Sequence, residues 1–458
     1  TLEIGKRALL THQVSLQTTG HNIANVNTPG YTRQRVNINS SLPEWTANGV
    51  LGSGVQVDSI RHIRDLFLGE QYREDAKSLG QWQYKSKLMT EIESLFSEPN
   101  DNTLSHALNK FWDSWSDLST NPNSVSSRVA IVEQANLLVN SFHDLSIRLD
   151  GLQSSIDRDL VGYTDEINRL TKEIASINKL TRTVELGGTQ ANDLRDTRDF
   201  LIDQLARYID VTTADQGNGE VNVMIGAMTL VDGGDVIEIS ADAVNIDGEL
   251  KHALNWKGTS VKLKNSDGEL KGLFDSRDIT IPHYKDQLDE LACAIIEQVN
   301  TLHRTGYGVD GVNGRNLFDT TYMSAANICL SSDIVSDPSR IAASASGEIG
   351  DNTIALAMHD LRKQTVMSNG ASTMNDFYNS LIGKLGIETR EAQSFSDSYT
   401  LLLEQVEQAR QSVQGVSLDE EMTNMVRHQH AYDAAARVIT TMDQALETVI
   451  NRMGIVGR

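Results

Sequence analysis

Gly306, Gly308 and Gly311 stand at the spacing G-x-G-x-x-G, which in a strand–turn–helix brings backbone close to a pyrophosphate. Here the glycines follow a helix-patterned stretch and lead into "VNGRNLF", so they read as a loop. Ser176 and Lys179 form S-x-x-K, at which a lysine could activate a serine. They lie inside a long apolar-periodic segment with no K-T-G partner, and a solvated helix face is the plainer reading. His428 and His430 are metal-ligand types, but two residues apart on a helix they point to opposite sides. Asp419, Glu420 and Glu421 could draw a cation; with Ser417 three residues before Glu420, they read instead as a capping box and the acidic first turn of a helix. Cys293 and Cys329, the only 2 cysteines, lack C-x-x-C spacing and read as buried thiols, with their pairing left open. No G-x-S-x-G, H-E-x-x-H or P-loop occurs. No catalytic residue, metal site or cofactor is expected.

The densest run of special residues is "GHNIANVNTPGYTRQRV", 20–36. The side chains of Asn22, Asn25 and Asn27 compete with the helical backbone for hydrogen bonds. Pro29 disfavours helix at Thr28, and Pro29-Gly30 suits the centre of a type II turn. The segment therefore stops the first helix and reverses the chain, with Tyr31 as an anchor.

The elements that would position these residues are mostly helices. In a chain of 458 residues, only 5% aromatics and 6 prolines suit long helices and an elongated shape better than a compact enzyme core. The length suggests two to four domains. A net charge of −22 argues against a nucleic-acid backbone or an anionic membrane surface as partner. No apolar run approaches the roughly 18 residues that span a bilayer. The polar interruptions at His12, Gln13, Ser15 and Gln17 exclude a cleavable signal peptide. With no initiator methionine, a few residues are expected ahead of Thr1.

Leu2, Leu9, Leu16 and Ile23 recur every seven residues on the first helix, a thin stripe. Residues 32–60 alternate and carry glycines, as short strands do, and helix resumes near Asp65. From Val132 to Ile177 apolar residues step by three or four, with one stutter near Ile156, giving a helix of about 70 Å. Further helices are expected at about 193–209 and 282–303. Residues 211–267 cluster β-formers between the turn signals "GNGE", "DGGD", "IDGE" and "SDGE". A 4-3 stripe runs through 381–413, and another through Leu418, Met422, Met425, Tyr432, Ala436, Ile439, Leu446, Ile450 and Met453. Both chain ends are therefore amphipathic helices lacking a local partner, and each stripe is expected to be an assembly surface.

The fold class that follows is mainly α with an inserted small β domain: terminal helices in a coiled-coil-like pair, a long-helix bundle and an outer β domain. The expected divisions are 1–60 with 415–458, 61–210 with 268–414 (mixed over 305–350), and 211–267. Charge adds a register argument. Lys6, Arg7, Arg33 and Arg35 against Glu3 make residues 1–40 net +3, while residues 415–458 are net −2, so the two ends attract.

"NIANVNTPGYTRQ" resembles the N-terminal signature of flagellar axial proteins, the rod, hook and hook-associated group. "GVSLDEEMTNMVRHQHAYDAAARVITTMDQALETVIN" is similar to their matching terminal helix. "YTRQ", "GELKGLFDSRD", "NTLHRTGYGVDGVNGRNLF" and "SRIAASASGEIGDNTIAL" narrow the resemblance to the hook-associated protein 1 family, the junction between hook and filament, over nearly the whole chain. The resemblance implies no enzymatic activity and an extracellular place in the bacterial flagellum. It implies passage through the flagellar type III export channel without a cleaved signal, aided by an export chaperone. It also implies self-assembly into a helical tube, with hook protein and the next hook-associated protein as neighbours. Terminal helices would form the inner tube, a helical bundle would surround it, and β domains would point outward. Some family members carry a further outer domain where this chain has only about 319–350. A rod or hook protein is the alternative within the group, and a secreted helical adhesin or tether the alternative outside it.

Overall fold

The computed structural model describes residues 1–46, 49–96, 103–246, 248–265 and 267–452. A terminal unit comes first: α1 (Leu2–Ala24), then β1 (Gln34–Ser40), β2 (Glu44–Thr46), β3 (Gly49–Leu51) and β4 (Val55–His62). β1 pairs antiparallel with β4, and β2 with β3, one hairpin nested within the other. α2 (Leu66–Phe96), α3 (Leu104–Thr120), α4 (Val125–Glu185) and α5 (Asn192–Tyr208) begin the bundle.

α4 is 61 residues long, about 90 Å, longer than the apolar spacing suggests. Ser124 caps it early, its side chain accepting from the Ser127 N–H, and the helix outlasts its apolar run to end just before Gly187 and Gly188. Past the stutter the buried row passes through Gln153 and Thr164, with Leu152 and Tyr163 half-buried beside it. α4 has no break where the bundle gives way to the β elements. β5 (Thr212–Asp215), β6 (Val221–Ile225), β7 (Met228–Asp232) and β8 (Asp235–Val236) make a meander, and β9 (Ile239–Ile246) and β10 (Glu249–Trp256) a hairpin. Both lie along α4. The hairpin is fastened there by Asp157, which accepts from the His252 backbone N–H at 2.9 Å and from buried Arg277 at 2.6 Å.

α6 (Glu269–Asp275) runs through a π-turn, Ser276–Thr280, into α7 (Ile281–His303). α8 (Ser332–Ser336) and α9 (Thr353–Asp360) punctuate the mixed stretch that follows. α10 (Met374–Gln414) returns antiparallel along α2, and α11 (Leu418–Glu447) pairs antiparallel with α1. One hydrophobic core, centred on Phe111, Trp112, Trp115 and Phe142, runs from α2 to α10 and into β6, β7, β9 and β10. Among the described residues no side chain of α1, β1–β4 or α11 belongs to it.

The glycines of the G-x-G-x-x-G pattern serve packing. A Cβ at Gly306 would meet the Ala342 Cβ at 2.8 Å, and one at Gly308 would meet the Arg340 backbone at 3.0 Å. Gly311 turns the chain at φ +73. Beside them His303 is buried, its Nδ1 donating to the Arg315 carbonyl at 2.7 Å and its Nε2 accepting from the Ala342 N–H at 3.0 Å. Ser176 is exposed, and Lys179 reaches Asp235 at 3.5 Å. Cys293 and Cys329 are half-buried, not buried, and free; the Cys293 thiol donates to the Met323 carbonyl at 2.8 Å.

Candidate assembly interface

α1 and α11 meet through small and polar residues. Gly5, Thr11, Ser15, Thr18, Thr19 and Asn22 are the buried positions of α1, recurring with a helical period. Gly5 permits the approach: a Cβ there would sit 2.9 Å from Ile439 Cγ1. Two of the hydroxyls find partners within the helix: Ser15 donates to the Thr11 carbonyl at 2.9 Å and Thr18 to that of Val14 at 3.0 Å. On α11 the buried positions are Glu421 and Ala435. His12 and His428 face each other with ring centres 5.7 Å apart, and burial pushes both imidazoles below their usual pKa.

On α1 the stripe read from leucine spacing lies one position round from this seam, whereas on α11 it includes Ile439, which packs against Gly5. Leu9, Leu16 and Ile23 are half-buried and Leu2 is exposed. On α11, Met425, Tyr432, Ala436 and Ile439 are half-buried, whereas Leu418, Met422, Leu446 and Ile450 are exposed. Met453 lies outside the described residues.

At the bundle end of the seam sits a polar knot. The buried Asn22 amide uses its whole capacity: its NH2 donates to the Gln34 carbonyl at 2.9 Å and to Glu421 at 3.1 Å, and its oxygen accepts from the Gln34 N–H at 3.0 Å and the Tyr31 hydroxyl at 2.7 Å. Burial and the nearby Asp193, Asp196 and Glu421 hold the Tyr31 phenol far above its usual pKa. Arg33 forks onto Glu420 at 2.8 and 3.0 Å and reaches Glu421 at 2.8 Å. The bond to Arg33 pulls Glu420 below the ordinary carboxylate range. Ser417 caps α11 as its spacing indicates, accepting from the Glu420 N–H at 3.5 Å, while the return half of the capping box is replaced: the Glu420 carboxylate is held by the guanidinium, a stronger partner than a backbone N–H.

The turn before the knot matches its residue types. Asn25 ends α1, its side chain donating to the His21 carbonyl at 3.0 Å. Asn27, Thr28 and Pro29 are exposed, and the Tyr31 N–H donates to the Thr28 carbonyl at 3.2 Å across Pro29 and Gly30. Gly30 has φ +76, and a Cβ there would fall 2.7 Å from Phe200 Cβ.

Phe200 belongs to α5, whose role the apolar spacing did not disclose. Asp193, Asp196, Asp199 and Asp203 line one face of it. Asp193 accepts from Gln34 at 2.6 Å, and Asp196 from the Thr32 N–H at 2.9 Å and from His62 at 2.9 Å. Asp199 pairs with Arg64, and Asp203 with Arg73 at 2.7 Å and Arg410 at 3.0 Å. The backbone adds two ties. The Arg33 N–H donates to the Gln414 carbonyl at 2.8 Å, and its carbonyl accepts from the Ile63 N–H at 2.8 Å. Arg33 thus sits between the two strands of chain that cross from the terminal unit to the bundle.

This arrangement positions helices. Among the described residues no group of three or more His, Cys, Asp or Glu could hold a metal ion. Comparison with known proteins agrees with the architecture. Residues 89–318 match the family description "Flagellar hook-associated protein FlgK helical domain". Flagellar hook-associated protein 1 of Bacillus subtilis is 34% identical, over 100% of this chain and 99% of that protein. The chain belongs to the flagellar hook-associated protein 1 family. It is a structural protein of the flagellum, of the junction between hook and filament. The hook-associated protein 1 of Escherichia coli is 24% identical over 96% of this chain and 97% of its own length. The flagellar hook junction protein FlgK from Burkholderia pseudomallei shares the fold, with a TM-score of 0.67 and 15% identity over 75% of this chain and 100% of that one. The ends match two rod-protein descriptions, "Flagella basal body rod protein" at 2–32 and "Flagellar basal body rod FlgEFG protein C-terminal" at 407–453. The end motifs alone left a rod or hook protein open; the whole-chain match closes that alternative.

Proposed function

We propose that the chain assembles with copies of itself into a tube that joins hook to filament. In this reading α1 and α11 form the wall, the bundle (61–210 with 268–414) surrounds it, and the β elements of 211–267 face outward. The observation that carries it is the position of the terminal helices outside the core, with Leu418, Met422, Leu446 and Ile450 exposed along α11. An elongated unit with a bare apolar flank is completed by neighbours. Those neighbours are copies of the chain, hook protein on one side and the next hook-associated protein on the other. The subunit reaches its extracellular place through the flagellar export apparatus, with an export chaperone, and acts without catalysis. No helix among the described residues is long and apolar enough to cross a membrane.

Deleting the gene tests the reading. Electron microscopy is expected to find rod and hook intact and filament absent; filaments of normal length on the deletion cells would overturn it.

A further inference from the structure

Beside the polar knot, α1, β1 and α11 enclose a cavity of about 380 Å³. Buried Ser15, Thr18 and Thr19 of α1 line one wall, and arginines line the others. Arg33 is taken up by Glu420 and Glu421. Arg35 follows it on the same face of the extended chain, lines the cavity and is exposed. Arg427 of α11 lines it too, its guanidinium donating to Asn424 on its own helix. Opposite Arg35, on β4, stands Arg61, likewise exposed. Among the described residues none of Arg35, Arg61 and Arg427 reaches a carboxylate.

Arg35 and Arg61 are direct cross-strand partners, so their side chains leave the β1–β4 pair from one face at about 5 Å, and like charges so placed destabilise a sheet. The chain carries a net charge of −22, yet here Arg33, Arg35, Arg61 and Arg427 stand against Glu420 and Glu421. Arg33 does most to hold Glu420 in its charged form and takes both of its oxygens; Arg35 and Arg427 add to the effect from farther off. Arg33 also shows what this face binds. Its partners Glu420 and Glu421 are consecutive and come from the first turn of a helix. Arg35 and Arg61 extend the same face without the matching ligand.

We propose that this cavity binds an acidic peptide segment of another protein chain, whose adjacent carboxylates bridge Arg35 and Arg61 and meet Arg427 across the opening. Guanidiniums suit the task, since each forks onto a carboxylate in a fixed plane and stays charged throughout the physiological range. The bound segment neutralises the paired arginines and ties β1 and β4 to α11.

The test titrates the purified full-length chain calorimetrically with an acetylated tetraglutamate peptide, with tetraglutamine as the neutral counterpart. Tetraglutamate should bind, less tightly as salt is raised from about 50 to 300 mM, and should slow hydrogen exchange at residues 33–36 and 60–63. Arg35→Gln/Arg61→Gln should weaken it about tenfold or more. The same variant should keep or raise the melting temperature, because it removes a like-charge pair. Absent binding, unchanged affinity in the double variant, or equal competition by inorganic sulfate would overturn the proposal, as would a fall in the variant's melting temperature. Binding in solution needs no assembly, so its failure leaves the proposed tube untouched. A benzophenone amino acid at position 61 in motile cells then separates the sources. A mapped crosslink to a carboxylate-bearing segment, of a copy of this chain or of a different flagellar protein, supports the site; a crosslink to a segment without carboxylates, or none, overturns it.

Discussion

At the scale of single residues, the amide of Asn22 is the part least open to substitution. All four of its hydrogen bonds are internal, and two of its partners, Gln34 and Glu421, lie on other elements. Asn22→Ala would take from the Gln34 N–H and carbonyl, and from one oxygen of buried Glu421, the partner each has in Asn22, and should destabilise the terminal unit by about 2 kcal/mol or more. Hydrogen exchange should quicken in α1 and α11 while α4 keeps its protection. His303 carries a different sensitivity. Burial lowers its pKa to about 4 from an ordinary 6.5, so the folded protein holds it neutral. The unfolded chain binds the extra proton between those two values. The contribution is therefore fully present above about pH 6.5 and is lost as pH falls toward 4, about 3 kcal/mol in all. Denaturant titrations at pH 7 and 4.5 should show that loss, and His303→Gln, which keeps a donor and an acceptor, should flatten it. His12 and His428 act in the same direction: their neutral forms are favoured at the seam, and acid should loosen α1 from α11. Exchange in residues 2–24 measured at pH 7.5 and 5.5 checks this, with His12→Gln/His428→Gln as the insensitive control.

At the scale of elements, the seam between α1 and α11 depends on the absence of side chains. Gly5→Leu would drive a branched chain into Ile439 and part the helices at that end, so exchange should rise in 2–11 and 435–447 more than at Asn22. The leucine spacing showed that both ends are amphipathic helices and included Ile439 of the seam, yet on α1 it pointed to the flank. A reading that follows large apolar residues passes over glycine, threonine and serine, and these fill the closest approach. The long helix of the bundle was legible because Leu138, Phe142, Leu145 and Leu149 repeat without relief; its true ends were not, since Ser124 and Gly187 mark them by capping and not by hydrophobicity. The four aspartates of α5 are periodic in the sequence, but their partners at positions 32, 62, 64, 73 and 410 come together only in the fold. Asp196→Asn should therefore loosen the terminal unit from the bundle without lowering the melting temperature of the bundle, a difference that exchange at residues 31–34 and 60–64 would register.

At the scale of the whole molecule, the accessible surface is 23836 Å², against about 17,000 Å² for a compact monomer of this mass. On the proposed assembly that excess is surface for neighbours to cover, and it ranks two further substitutions. Leu446→Asp puts a charge on the apolar flank of α11, where a buried leucine contributes about 1.5 to 3 kcal/mol, and should prevent incorporation at the hook tip. Lys6→Glu alters an exposed charge of about 0.2 to 1 kcal/mol and should only weaken it, more so at low salt. Fluorescence counting of subunits at the tip checks the order of the two. The joint through which such neighbours act on the bundle has a mechanical character of its own. Its two crossings run at Ile63–Asp65 and Gln414–Ser417, and Arg33 stitches them side by side through its own peptide groups. With Thr32, Gln34 and His62 clamped on α5 beside them, these two crossings are the short connection between terminal unit and bundle, so on the assembly reading a load that neighbours place on the terminal unit reaches the bundle through a handful of bonds.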